Sequence, residues 1–208
     1  MVAPTGRLPK SQRRVQVLDA ARAVFVESGY YAAGMDDIAE RAGVSKPVLY
    51  QHFSSKQDLY LALLDSALES LRIAIDQAAA DAPDNKTRVR QTIGAYFAFM
   101  DAPDGAARLV FQSDLVNEPL VRDVLDRANS AIATQIGALI AEDTGLSSTE
   151  ALILGAGLAG MAQTAARRWI DGDDDITTRD EAIDLVSRLA WRGIRDFPIP
   201  ASTGIPTP

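Results

Sequence analysis

The tetrapeptide Ala42-Gly43-Val44-Ser45 separates two short segments whose apolar residues recur at helical spacing, and it constrains this chain more than any other feature. Upstream, Met35, Ile38 and Ala39 fall at i, i+3 and i+4, which gives a two-turn helix one apolar face. Gly43 ends that helix, because a residue without Cβ enters the left-handed cap freely. Val44 can tuck under the turn. Ser45 is placed to cap the next helix with its hydroxyl, and Pro47 lies near the first turn, where a missing N–H does no harm. The second helix, about 46 to 52, turns Leu49 and Phe53 inward and leaves Lys46, Val48, Tyr50 and Gln51 on its other faces.

Two short helices joined in this way predict a helix-turn-helix. Its second helix lies in the major groove, with N-terminal residues on base edges and amides and hydroxyls on phosphates. Ser45, Lys46, Pro47, Val48, Tyr50 and His52 are the candidate DNA contacts, and Ser54, Ser55 and Lys56 open the following helix. A plainer reading makes Tyr50 and Phe53 packing residues and Lys46 a solvated charge. The ordered set favours the first reading over the second.

The stretch resembles the DNA-binding module of the tetracycline-repressor (TetR) family of bacterial regulators. The matching residues are Ile38-Ala39, Ala42-Gly43-Val44-Ser45, Leu49-Tyr50, His52-Phe53 and Ser55-Lys56, with Phe25 and Gly29-Tyr30 before them. The resemblance implies an all-α homodimer with an N-terminal three-helix DNA-binding head and a C-terminal body that binds a small effector. It places Ser45, Lys46, Pro47, Tyr50, His52 and Lys56 where family members commonly touch double-stranded DNA. One departure stands out: Ala33 and Gly34 occupy the place where the family usually has Ser or Thr, which puts a hydroxyl contact to phosphate there in doubt.

Charge distribution agrees with a DNA-binding head on an acidic protein. The chain carries a net charge of -7, yet residues 1–60 hold eight Lys/Arg against six Asp/Glu. Arg7, Lys10, Arg13 and Arg14 form a run with no acid before Asp19, placed to reach phosphates at the start of the first helix, or else to serve as a soluble leader. The expected organisation is a flexible basic arm over 1–10, a helix-turn-helix domain over 11–55, an effector-binding and dimerisation domain over 56–196, and a Pro-rich tail over 197–208.

About nine helices are expected. The first runs from about 11 to 28, with Val15, Leu18, Ala21 and Phe25 on one face and Gly29 ending it. Others are expected at about 56–81, 86–101, 104–113, 118–142, 147–171 and 179–196. Ile93, Tyr96, Phe97 and Met100 share a helical face, and Leu125, Asn129, Ile132, Ile136 and Ile140 form a stripe with Asn129 its polar member. Asn129 is expected to orient an effector's polar end or to bond a neighbouring helix. With Phe111, Leu158, Met161 and Trp169, these residues are the candidate effector pocket. The walls are aliphatic and aromatic, so the expected ligand is apolar or amphipathic.

Ala151, Gly155, Ala159, Ala162 and Ala166 make a small-residue stripe that another helix could approach closely. The family places its dimer interface on the last two helices. The resemblance therefore assigns this stripe one half of the interface, and Ala182, Leu185, Val186 and Leu189 the other.

Several classes are disfavoured. Cysteine is absent, so disulfides and thiolate metal sites are impossible, in keeping with a reducing compartment. His52 is the single histidine, which removes di-iron Glu-x-x-His pairs, and no Gly-x-Ser-x-Gly turn occurs. No catalytic residue, metal site or cofactor is expected. The acidic stretch with Asp171, Asp173 and Asp175 lacks the glycine and glutamate of a calcium loop and reads as solvated. Neither a long apolar span nor a leader is visible, which argues for a cytoplasmic protein with no membrane role.

A narrower resemblance, carried by residues 31–36 and 45–56 with Arg108-Leu109-Val110-Phe111 and Arg168-Trp169, is to actinobacterial TetR-type regulators of fatty-acid synthesis. It implies long-chain acyl-CoA as effector and lipid-synthesis genes as targets. The rival expectation is a drug- or metabolite-sensing repressor of an efflux or degradation operon. A helical protein-interaction module without DNA binding is the alternative of another class.

Overall fold

The computed structural model describes residues 9–111, 115, 117–172 and 177–194. Among the described residues the chain is all-α. Its helices are α1 (Lys10–Ala32), α2 (Met35–Arg41), α3 (Lys46–His52), α4 (Lys56–Ala80), α5 (Asn85–Met100), α6 (Ala106–Phe111), α7 (Pro119–Thr144), α8 (Ser148–Ile170) and α9 (Arg179–Ile194). No helix among the described residues is long and apolar enough to cross a membrane. Arg7, the Pro-rich tail, and Asp173 and Asp175 lie outside the described residues.

Contacts divide the chain into two compact units, one holding the described residues up to Leu68 with 102–125, the other Glu69–Asp101 with the described residues from Asp126 onward. The boundary expected at 55/56 does not coincide with this division. The reason lies in the packing of the first unit. Tyr60 of α4 is fully buried, meets the Phe25 and Tyr30 rings edge-on at 5.2 Å each, and donates its hydroxyl to the Leu109 carbonyl of α6 at 3.0 Å. The helix-turn-helix thus shares one core with the start of α4 and with α6.

That core is assembled from Val17, Ala21, Val24 and Phe25 of α1, Ile38 of α2, Leu49 of α3, Phe53, and Leu59, Leu63 and Leu64 of α4, all almost completely removed from water. Val15, expected on this face, is 57% exposed; the buried stripe of α1 runs instead through Val17, Ala20, Ala21 and Val24. Gly29 breaks α1 at φ 74, where a side chain would be strained. Gly43, at φ 61, makes the turn between α2 and α3. Gln16 donates to the Ala42 carbonyl at 2.9 Å, which pins α1 to that turn.

In the second unit α5 packs against α8 and α9, and α8 and α9 pack against each other. The core here includes Ile93 and Phe97 of α5, Ile132 and Ile136 of α7, Ala151, Ala162 and Ala166 of α8, and Ile183 of α9. Helices α7 and α8 approach so closely that a Cβ added at Gly155 would stand 2.4 Å from the Ala133 carbonyl and 2.6 Å from the Gly137 nitrogen. Ser147 caps α8 and Glu150 returns a bond to the Ser147 nitrogen, the reciprocal capping box expected for an acid three residues on.

This close crossing corrects one expectation. Ala151, Gly155, Ala159, Ala162 and Ala166 are buried inside the chain, Ala151 and Gly155 at the crossing with α7 and Ala162 on the wall of a cavity, so the stripe packs within its own chain and is not an open face for a second copy. Ala182 is buried as well, whereas Val186 is half-buried and Leu185 and Leu189 are 54% and 66% exposed.

Candidate nucleic-acid interface and body cavity

Helix α3 turns one face inward, where Leu49 is completely buried and Phe53 follows at its C-cap. The rest is open. Ser45, Lys46, Pro47, Tyr50 and Gln51 are exposed, and Val48 and His52 are half-buried. Ser45 occupies the N-cap position with extended backbone, yet its side chain makes no cap hydrogen bond. The expected capping role is therefore not taken up within the chain.

Basic side chains of α1 flank this surface. Lys10 and Arg13 line a groove with Gly43, Val44, Ser45, Val48, Gln51 and His52, and Arg14 lines its continuation. Arg14 is fixed in two ways: its guanidinium carbon sits 4.3 Å from the Phe53 ring centroid, and it donates to the His52 carbonyl at 3.3 Å. Burial, and then the charges of Lys10, Arg14 and Arg13, hold the His52 imidazole below its usual range, so it is neutral at neutral pH.

Lys46 carries an acid of its own. Its ammonium lies 2.9 Å from the Asp36 carboxylate of α2, which raises its pKa by hydrogen bonding and charge. Lys56 behaves differently from expectation. Its ammonium donates to the carbonyls of Tyr30 at 2.9 Å, Ala33 at 3.0 Å and Tyr31 at 3.3 Å, and sits 4.6 Å from the Tyr30 ring centroid. With those acceptors filling its donors, Lys56 ties the end of α1 to the start of α4. Gly34 replaces the family's hydroxyl residue and its N–H is met by the Asp37 carboxylate at 3.1 Å.

The second unit contains a cavity of about 260 Å³ among α5, α7, α8 and α9. Ile93, Tyr96, Ile136 and Leu158, all expected pocket residues, line it, as does Ala162, which was assigned to the dimer interface. Phe97 and Trp169 lie together elsewhere, ring centroids 5.8 Å apart, in a groove with Val186; the Trp169 indole donates to the Thr177 carbonyl at 3.0 Å. Met100 and Ile132 are buried packing residues, Met161 and Phe111 are half-buried, and none of the four lines the cavity. Asn129 is exposed, because the inward stripe of α7 passes through Val124, Ile132 and Ile136 and leaves Asn129 on the outer side.

Sequence reasoning missed Arg88, Val89, Thr92, Leu139, Asp143, Thr144 and Trp191, which also line the cavity. Val89, Thr92, Ile93 and Tyr96 share one helical face, so the spacing carried the signal. Burial alone pushes the Tyr96 hydroxyl well above its usual pKa.

Comparison with known proteins follows the same lines. The profile described as "Bacterial regulatory proteins, tetR family" matches residues 17–63. The HTH-type transcriptional activator FasR of Mycolicibacterium smegmatis is 42% identical over 196 residues, covering 94% of this chain and 89% of FasR. A TetR-like transcriptional regulator from Rhodococcus sp. RHA1 superposes with a TM-score of 0.67 at 26% identity, over 91% of this chain and all of that one. FadR from Bacillus subtilis, solved in complex with stearoyl-CoA, shares the fold with a TM-score of 0.67 at 19% identity, over 88% of this chain and 97% of FadR. The relatives are regulators and not enzymes. On the helix-turn-helix, the all-α fold and this likeness along nearly its whole length, the chain belongs to the TetR family of bacterial transcriptional regulators.

Proposed function

We propose that the chain grips operator DNA as a homodimer, through the outer face of α3 and the flanking cations of α1, and that an amphipathic effector in the second unit's cavity sets the strength of that grip. The observation that carries this reading is the exposure of Ser45, Lys46, Pro47, Tyr50 and Gln51 together on a helix whose inward face is the completely buried Leu49. Contacts fall to Ser45, Lys46, Pro47, Val48, Tyr50 and His52 on α3, with Lys46 and His52 joining Arg13 and Arg14 at the phosphates; Lys56 supports the site from behind.

The second copy is taken up on the outward faces of α8 and α9. Ile153 is 68% exposed, a Cβ at Gly157 or Gly160 would meet open space among the described residues, and Leu185 and Leu189 stand out on α9. Apolar surface of this kind on the two closing helices favours burial against its own copy.

Long-chain acyl-CoA is the effector this reading names, with lipid-synthesis genes as targets. Support comes from the apolar cavity, from 42% identity to FasR, and from the shared fold of FadR with its bound stearoyl-CoA. Coupling is linkage: a hundredfold change in DNA affinity requires about 2.7 kcal/mol of differential effector affinity for the two conformations. Fluorescence anisotropy on operator DNA, titrated with stearoyl-CoA and with free CoA as control, tests it. At least a tenfold change with the acyl thioester alone is expected; no change with any acyl-CoA refutes the effector assignment.

A further inference from the structure

Helix α5 carries two hydroxyl residues on the wall of the second unit's cavity. Thr92 and Tyr96 stand four residues apart on one helical face, and both are at least nine-tenths buried, at 9% and 3% exposure. Of the other polar side chains on this wall, Arg88 donates to both carboxylate oxygens of Asp143 at 3.0 and 3.2 Å, and the Thr144 hydroxyl donates to the Ile140 carbonyl at 2.6 Å. Asn85 and Trp191 are half-buried. Among the described residues neither the Thr92 nor the Tyr96 hydroxyl has a hydrogen-bond partner, yet neither is sealed off from contact. Burial alone raises the Tyr96 pKa, in keeping with a hydroxyl that no bond or charge of the chain engages.

We propose, resting on the effector reading above, that Thr92 and Tyr96 form the cavity's polar station and hold a carbonyl or hydroxyl oxygen of an otherwise apolar chain. Buried hydroxyls are ordinarily paired, and two left open on one face are matched by an oxygen on what fills the cavity. Val89, Ile93, Ile136, Leu139 and Leu158 supply contact for the hydrocarbon. The oxygen is either the acyl carbonyl or a substituent on the chain, and the hydrogen bonding is the same for both.

Calorimetric titration of the full-length protein, stripped of co-purified lipid, separates the two sources. Decanoyl-CoA and its thioether analogue S-decyl-CoA share head group, chain length and charge, and differ only by the carbonyl oxygen. S-(3-hydroxydecyl)-CoA carries its oxygen on the chain instead. One oxygen-bearing probe at least is expected to bind about tenfold tighter than S-decyl-CoA; a preference for decanoyl-CoA identifies the acyl carbonyl, and one for the hydroxy thioether the chain oxygen. Tyr96→Phe combined with Thr92→Val should erase the preference and leave S-decyl-CoA binding as before. Tyr96→Phe alone removes a hydroxyl that has no partner in the ligand-free chain, so the melting temperature of that chain should hold or rise. Equal binding of all three probes, or a preference that survives the double change, overturns the station and leaves the cavity as an effector site. A lowered melting temperature in ligand-free Tyr96→Phe overturns it too, since the hydroxyl would then be bonded within the fold. Binding of none of the three refutes the effector reading and the station with it.

Discussion

The Lys46 ammonium lies 2.9 Å from the Asp36 carboxylate, so the first cation of the recognition helix is already paired before DNA arrives. A phosphate can recruit it only by displacing that acid, and the exposure of both partners makes the exchange easy. Asp36→Asn should therefore tighten binding to any duplex several-fold at low salt, measured by anisotropy. Adding Lys46→Met in the same background should remove the gain. Tightening that survives the double change would mean that Lys46 does not touch the backbone.

Lys56 sits among the candidate DNA contacts in sequence, yet its ammonium is taken up by three carbonyls at the end of α1. Replacing it by Met strands the carbonyls of Tyr30, Tyr31 and Ala33. Loss of charge-assisted bonds at a half-buried position costs about 2 kcal/mol. A lowered melting temperature is expected with no change in the salt dependence of DNA binding, whereas loss of a phosphate contact would flatten that slope by about one. Flattening without destabilisation would return Lys56 to the interface.

Gly155 and Gly157 lie two residues apart and face opposite consequences. Alanine at Gly155 meets the backbone of Ala133 and Gly137, so it should cost about 1–3 kcal/mol in thermal unfolding. A Cβ at Gly157 would meet no neighbouring atom within 4 Å among the described residues. Leucine there should leave the fold of each chain intact and weaken self-association in sedimentation velocity. A Gly157→Leu protein that dimerises as tightly as the native one removes the α8 face from the interface.

His52 supplies a pH signature, and as the chain's single histidine it makes the assignment unambiguous. Its pKa is depressed in the folded protein by burial and by Lys10, Arg14 and Arg13. The unfolded chain therefore takes up a proton first as pH falls through about 6.5, and this destabilises the fold progressively until the native pKa is passed. Phosphate works in the other direction by favouring the imidazolium. DNA affinity should rise as pH drops from 8 to 6, and His52→Asn should flatten that rise; an equal slope in both proteins excludes His52 from the phosphate site.

Much of this was legible in the residues because helical spacing reports burial on one's own helix. The Ile38, Leu49 and Phe53 face and the glycine turn were readable for that reason, and the helices lie close to their expected bounds. Two kinds of feature were not. The Ala151–Ala166 stripe signals close approach without saying whether the neighbour is α7 or another chain, and only the Gly155–Gly137 crossing identifies it. Lys56 and the Arg88–Asp143 pair are tertiary: their partners are 23 to 55 residues away, beyond any periodicity. Asn129 failed for a simpler reason, since a one-residue shift around α7 carries a side chain from the core to solvent.

Selection of bound sequences from a random duplex pool decides whether the outer face of α3 reads DNA. An inverted repeat is expected whose half-site centres lie about one helical turn apart or a multiple of it, with enrichment lost in Tyr50→Ala and Lys46→Ala proteins that melt normally. Enrichment of no sequence at low salt, or the same sequences from both altered proteins, would contradict it.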